Sequence, residues 1–204
     1  MSIHIHRIYT RAGDGGTTAL AGGVQVSKSS LEVESYGESD ELISHLGVVR
    51  AFATQLPTSP HPEIASETDE VFLKIQNTLY EAGAVLASAN PPSAEAVQYD
   101  PKNDARVKFL EQRIDAYRDR FAAIDGFTIP GDCMLSAHAH VARTVCRRWE
   151  RVLVRRHEHA PIEPWVLAYA NRLSDYLFAY TRWVTALLSA NEPLWKGSSP
   201  QVES

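Results

Sequence analysis

Apolar residues recur at helical spacing over five long stretches of this 204-residue chain, with proline-bearing breaks between them, and that pattern limits the fold more than any other feature. Leu42, Ile43, Leu46, Val49 and Ala53 mark a first helix over about Val33 to Leu56. "PTSPHP" ends it, because proline disfavours continuation. Ile64, Val71, Ile75, Leu79 and Leu86 mark a second over about Glu63 to Ala89, closed by "NPP", after which "PPSAEAVQYDPKND" is a polar connection. Val107, Leu110, Ile114, Tyr117 and Phe121 mark a third over about Asp104 to Ala123, which gives way to "DGFTIPGD". Two more are expected over about Met134 to His159 and Glu163 to Ala190, separated by the turn around Pro161. Five helices joined by short breaks, with no internal repeat, predict an all-α, five-helix up-and-down bundle. It is read as one domain over residues 1–190, with 191–204 a flexible tail ending in "KGSSPQVES".

The stretch "YTRAGDGGTTALAGG" at residues 9–23 stands outside that pattern. It carries glycine at 13, 15, 16, 22 and 23, five of the eleven in the chain, and each would cost about 1 kcal/mol inside a helix. No Gly-Lys-Ser/Thr follows, and the glycine spacing is not that of a dinucleotide-binding turn. The loop offers small residues with free backbone amides, hydroxyls at Thr10, Thr17 and Thr18, and cations at Arg11 and Lys28. Such groups suit a polyphosphate, since consecutive amides form an anion-binding nest and lysine adds a point charge. A flexible N-terminal arm would have the same composition.

Helix four contains "ARTVCRRWERVLVRR", six arginines between 143 and 156. Arg143, Arg147 and Glu150 or Arg151 share a face by the i, i+4, i+7 or i+8 rule, and guanidinium forks match phosphate geometry. A solvated face laced with ion pairs is the competing reading. Helix five answers with "NRLSDYLF", placing Asn171, Asp175 and Phe178 on one face, where Asn171 either binds a ligand or stitches two helices together. Of the pairs His4/His6, His138/His140 and His157/His159, the latter two lie on helices and are poor metal sites, since residues two apart there point to different faces. Cys133 and Cys146 form no metal-binding spacing and no disulfide framework, which suits a reducing compartment. A net charge of −5 argues against a general nucleic-acid or membrane-surface binder, and no apolar run has the length of a membrane span or signal segment. The expected location is the cytoplasm.

Taken in order, "YTRAGDGGTTALAGG", "VSK", "YGESDEL", "FTIPG", "HVARTVCRRWER" and "YANRLSDYLF" resemble the PduO-type family of ATP:cob(I)alamin adenosyltransferases. The resemblance implies a five-helix bundle assembled as a homotrimer, with active sites between neighbouring subunits. It implies that Thr10, Arg11, Gly13, Asp14, Gly15, Thr17, Thr18 and Lys28 hold ATP, completed by Arg143, Arg147, Glu150 and Asn171. Asp40 matches the family's aspartate that pairs with the arginine at Arg143, and Phe127 matches the aromatic that closes the lower face of the corrin, so the resemblance makes Asp40, Phe127 and Arg143 the corrinoid-binding residues and, with Arg147, the catalytic ones. Mg2+ is implied through the ATP phosphates, ATP and cob(I)alamin as substrates, and a reductase and an adenosylcobalamin-dependent enzyme as partners. Rival readings are a noncatalytic ATP- or corrinoid-binding carrier or sensor on the same bundle, and a structural bundle that binds neither ligand.

The sequence departs from the family pattern at "PGDC", at Glu32 and at Trp149 in "RRWER". Asp132 and Cys133 lie close to Phe127. If the helix face carrying Trp149 packs at the subunit boundary, an indole has to be accommodated there.

Overall fold

A computed structural model describes residues 9–56, 61–89, 99–121, 123 and 126–195. The His4/His6 pair, most of the polar connection before Tyr99 and the end of the tail lie outside these residues.

Five α-helices form the bundle: α1 (Leu31–Gln55), α2 (Pro62–Leu86), α3 (Ala105–Arg118), α4 (Met134–His159) and α5 (Pro164–Leu187). Each start has a local cause. Ser30 caps α1 by accepting from the Val33 amide, and Glu32 and Glu34 occupy its positive end. Proline occupies the first position of α2 and of α5, where its missing N–H costs nothing. Asp104 caps α3 through the Arg106 amide at 2.8 Å, and Cys133 caps α4 with its sulfur 3.4 Å from the Ser136 amide. α3 ends at Arg118, five residues short of the Ala123 expected from its periodicity, because Asp119 and Arg120 turn the chain away.

α1 packs on α2 and α4, and α5 packs on α4 and α3. α2 closes the bundle against α5, where the Thr68 hydroxyl meets the Tyr180 hydroxyl at 2.6 Å and Phe72 lies 4.8 Å from the Tyr180 ring. The core runs from Leu42, Leu46 and Val49 through Phe72, Ile75 and Leu79 to Trp149, Tyr169, Tyr176 and Tyr180, all fully buried. α1 and α2 approach closely at Gly83, where an added Cβ would sit 3.4 Å from Ser39 Oγ.

Two features depart from the expectation. The glycine-rich stretch is a small antiparallel hairpin, β1 (Thr17–Ala19) with β2 (Gln25–Ser27), in register Thr17 with Ser27 and Ala19 with Gln25. Three-residue strands are too short for a period-2 pattern to declare them. Gly22 and Gly23, at φ +104° and +87°, make the turn that closes it. The hairpin is fixed to the bundle rather than free, since the Ala21 amide donates to Ala87 O at 2.8 Å and the Ala89 amide to Ala21 O at 3.0 Å.

Residues 191–195, past the expected end of the domain, are also held to the bundle. Thr128 pairs with Leu194 as an antiparallel bridge, the Ile129 amide donates to Pro193 O at 2.8 Å, and Glu192 is buried. No helix among the described residues is long and apolar enough to cross a membrane.

Candidate active site

The loop before β1 is shaped by three local effects. Arg11 adopts φ +62° and Gly16 φ +82°, so the chain reverses twice within six residues. The Asp14 amide closes back on Arg11 O at 3.3 Å and the Gly16 amide on Gly13 O at 3.2 Å. The amides of Gly13 and Gly15 carry no hydrogen bond among the described residues. Lys28 lies across the loop: its amide donates to Gly16 O at 2.9 Å, and its ammonium would sit 2.9 Å from a Cβ on Gly13. The Lys28 ammonium therefore occupies the space beside Gly13. Thr10, Arg11, Asp14, Gly15 and Thr17 are exposed around it, with Thr18 half-buried.

The arginine helix is a mixture of environments. Arg148 reaches Glu38 at 2.6 Å and also Glu41, and Arg155 reaches Glu34 at 2.6 Å, so α1 neutralises both. Arg156 is buried, with Nη1 donating to Ser35 Oγ at 2.6 Å. Arg151 folds back onto the Arg147 carbonyl at 3.0 Å. Arg143 and Arg147 remain without a carboxylate partner among the described residues. Burial and the charge of Arg147 both push the Arg143 pKa down, against the pull of Glu192. One turn further on, Asn171 of α5 donates to Glu150 at 3.0 Å, so these two expected site residues meet across the α4–α5 seam. A groove of about 700 Å³ between α1 and α4 is lined by Glu34, Glu38, Arg148, Glu150, Arg151 and Arg155, and Glu150 alone of the expected site residues reaches it.

Arg143 donates through Nε to His140 Nδ1 at 3.3 Å, and His140 Nε2 lies 3.0 Å from Glu192 Oε1. Nδ1 accepts and Nε2 donates, so the imidazole is neutral; burial pushes its pKa down against the pull of Glu192. Arg182 closes on the other Glu192 oxygen.

Phe127 is 75% exposed, held by its carbonyl, which accepts from the Trp195 amide at 2.7 Å; the two rings lie 6.4 Å apart. Ile129, Met134, Leu194 and Trp195 are exposed beside it in sequence or through the strand bridge, giving an apolar surface at this end of the bundle. Trp195 and Glu192 were not legible as site residues. They lie in a short polar segment, and both contacts are made to parts of the chain more than fifty residues away.

Asp40, Trp149 and the Asp132–Cys133 segment take definite places within the protomer. Asp40 is exposed on α1 and makes no ion pair with Arg143 within one protomer among the described residues, because α1 turns Glu38 and Glu41, not Asp40, toward α4. Trp149 is fully buried within the protomer against α1, its indole N–H donating to Ser35 O at 2.9 Å. Asp132 and Cys133 serve structure, Asp132 accepting from the Thr185 hydroxyl at 2.6 Å and Cys133 capping α4. Cys146 is inert as well; burial pushes its pKa far up, and its thiol donates to Ala170 O at 3.3 Å.

A five-helix bundle bearing an amide-rich loop and an unneutralised arginine pair on α4 has the groups of a protein that takes a phosphate-bearing ligand. The chain belongs to the cobalamin adenosyltransferase family, whose model matches residues 8–184. It is 40% identical over 180 residues to a corrinoid adenosyltransferase of Bacillus subtilis, covering 88% of this chain and 87% of that one. To a corrinoid adenosyltransferase of Citrobacter freundii it is 39% identical over 178 residues, covering 87% and 94%. Its fold matches a variant PduO-type ATP:corrinoid adenosyltransferase from Lactobacillus reuteri complexed with cobalamin and ATP, with a TM-score of 0.79, 34% identity, and coverage of 93% of this chain and 99% of that one.

Proposed function

We propose that this chain transfers the 5′-deoxyadenosyl group of ATP to the cobalt of cob(I)alamin, giving adenosylcobalamin and triphosphate. The observation that carries the reading is the Arg143–Arg147 pair, unneutralised beside the Glu150–Asn171 contact. Cob(I)alamin is itself a strong nucleophile, so no serine, cysteine or general base is needed, and the two cysteines here are committed to packing and capping. The cobalt electron pair forms the bond to C5′, the C5′–O5′ bond breaks, and triphosphate leaves with its electrons. The protein's task is to align the two and to stabilise the departing charge. Thr10, Arg11, Gly13, Asp14, Gly15, Thr17, Thr18 and Lys28 would hold the triphosphate, with Arg147, Glu150 and Asn171 completing the ATP site.

Magnesium would arrive with ATP and neutralise part of the leaving group's charge. Among the described residues no three His, Cys, Asp or Glu side chains converge as a metal site, and Mg2+ on phosphates needs only one or two protein oxygens. The Asp14 carboxylate and the hydroxyls of Thr10, Thr17 and Thr18 are side-chain oxygens this loop provides.

A homotrimer is part of the proposal. The hairpin is tied to the end of α2, where Ser88 and Arg156 line one small cavity, whereas Arg143 is thirteen residues along α4, about 20 Å away at roughly 1.5 Å per residue. A neighbouring copy would bring its loop to Arg147, and its Asp40 to the Nη1 and Nη2 edge that Arg143 leaves open. Two unpaired cysteines suit the cytoplasm, where a reductase would supply cob(I)alamin and an adenosylcobalamin-dependent enzyme would take the product.

The test is anaerobic: purified protein, MgATP and chemically reduced cob(I)alamin, with adenosylcobalamin followed in the visible spectrum and triphosphate identified as co-product. ATP binding without product would replace the transferase by a carrier or sensor. Phe127→Ala adds a finer prediction. An apolar ring beneath the corrin excludes the lower axial ligand and eases reduction of cob(II)alamin. The variant should bind ATP normally and turn over supplied cob(I)alamin far better than it supports reduction of cob(II)alamin. Equal losses in the two assays would remove Phe127 from that role.

A further inference from the structure

The residues behind Arg143 form a continuous polar line that ends in the C-terminal segment. Arg143 Nε donates to His140 Nδ1 at 3.3 Å, His140 Nε2 donates to Glu192 Oε1 at 3.0 Å, and Arg182 of α5 closes on the remaining Glu192 oxygen. The His140 and Glu192 side chains are 5% and 1% exposed, so the line is dry. The same segment holds Phe127 by its backbone, through Trp195 N–H to Phe127 O and Ile129 N–H to Pro193 O. We propose that Glu192 is a positioning residue of the corrinoid half-site, acting through neutral His140 to fix the Arg143 guanidinium; this rests on the assignment of Arg143 to that half-site.

The chemistry favours this role over simple cohesion. Replacing a buried ion pair by apolar groups is often neutral or stabilising, so stability alone gives little reason to bury Glu192 and Arg182 behind a histidine. What the arrangement does supply is orientation. A guanidinium held at Nε by a single acceptor keeps its Nη1 and Nη2 edge turned away from that acceptor, and this edge is the one suited to a planar, two-point partner. The histidine can accept there only while its proton sits on Nε2, and the Glu192 carboxylate holds it there.

Corrinoid and ATP affinities are measured separately, by the visible spectrum of bound cob(II)alamin and by calorimetry. Glu192→Ala should weaken corrinoid binding about tenfold and leave ATP binding within about twofold. Glu192→Gln keeps an acceptor for His140; it should lose about threefold and serves if the alanine variant does not fold. His140→Ala should match Glu192→Ala, and the double variant should be no worse than either, because both act through one contact. Corrinoid affinity unchanged in both Glu192 variants, losses that multiply in the double variant, or ATP affinity falling in step with corrinoid affinity would each overturn the proposal. Arg143→Ala is run beside them. If it leaves corrinoid affinity unchanged, the assignment of Arg143 fails and the positioning role falls with it; if it weakens binding while the Glu192 variants do not, only the positioning role is lost.

Discussion

Arg147→Ala is expected to lower turnover about a hundredfold with cob(I)alamin and MgATP saturating, with the fold intact, since removing one donor aimed at developing negative charge commonly costs about 3 kcal/mol in the barrier. Arg147 is exposed and its side chain has no acceptor among the described residues, so its removal strands nothing in the core. Stability should move by no more than about 0.5 kcal/mol. The effect should fall on kcat, because the triphosphate gains charge at the bridging oxygen only as the C5′–O5′ bond breaks. Arg147→Lys keeps a charge and loses the fork, so it should recover part of the rate but not all. Turnover of Arg147→Ala within about threefold of the parent would take Arg147 out of transition-state stabilisation, whatever its effect on ATP affinity.

That expectation depends on telling six arginines apart, which their spacing alone does not do. Proline breaks and apolar periodicity were enough to give five helices, and the α4 limits, Met134–His159, agree with the sequence expectation. The same periodicity puts Arg143, Arg147 and Arg151 along one face but says nothing of what stands opposite them. The acids that neutralise Arg148 and Arg155 lie more than a hundred residues earlier in α1, and only the antiparallel packing of α1 on α4 brings them together. The place of Asp40 within the protomer follows from the same packing. It is near Glu38 and Glu41 in sequence, and the helical rotation between them decides which carboxylates face α4. Glu192 was hidden more completely, in a polar stretch after the last helix with no periodic neighbours. Its burial comes from a strand bridge between Thr128 and Leu194, two short segments whose pairing no local pattern announces.

Trp149→Ala should cost about 3–5 kcal/mol of stability, because a fully buried aromatic leaves a cavity that a packed helical core fills only in part. For a chain of this size that lowers Tm by on the order of 10 °C. The indole is also half of a grip on one residue of α1: Trp149 Nε1–H donates to Ser35 O at 2.9 Å, and Arg156 Nη1 donates to Ser35 Oγ at 2.6 Å. Trp149→Phe keeps most of the volume and drops the N–H, so its loss should be nearer 1 kcal/mol. The two variants separate cavity from hydrogen bond, and together they separate a core residue from a boundary residue. A tryptophan at a subunit contact would, on truncation, change the mass of the assembly and the concentration dependence of activity while leaving the protomer's own melting nearly in place. A core tryptophan does the reverse: the melting temperature falls at every protein concentration, and the molecules still folded keep their assembly and their turnover. Sedimentation and thermal melts of Trp149→Ala over a hundredfold range of concentration decide between them. An unchanged Tm with a lighter assembly would return Trp149 to the boundary between copies of the proposed trimer.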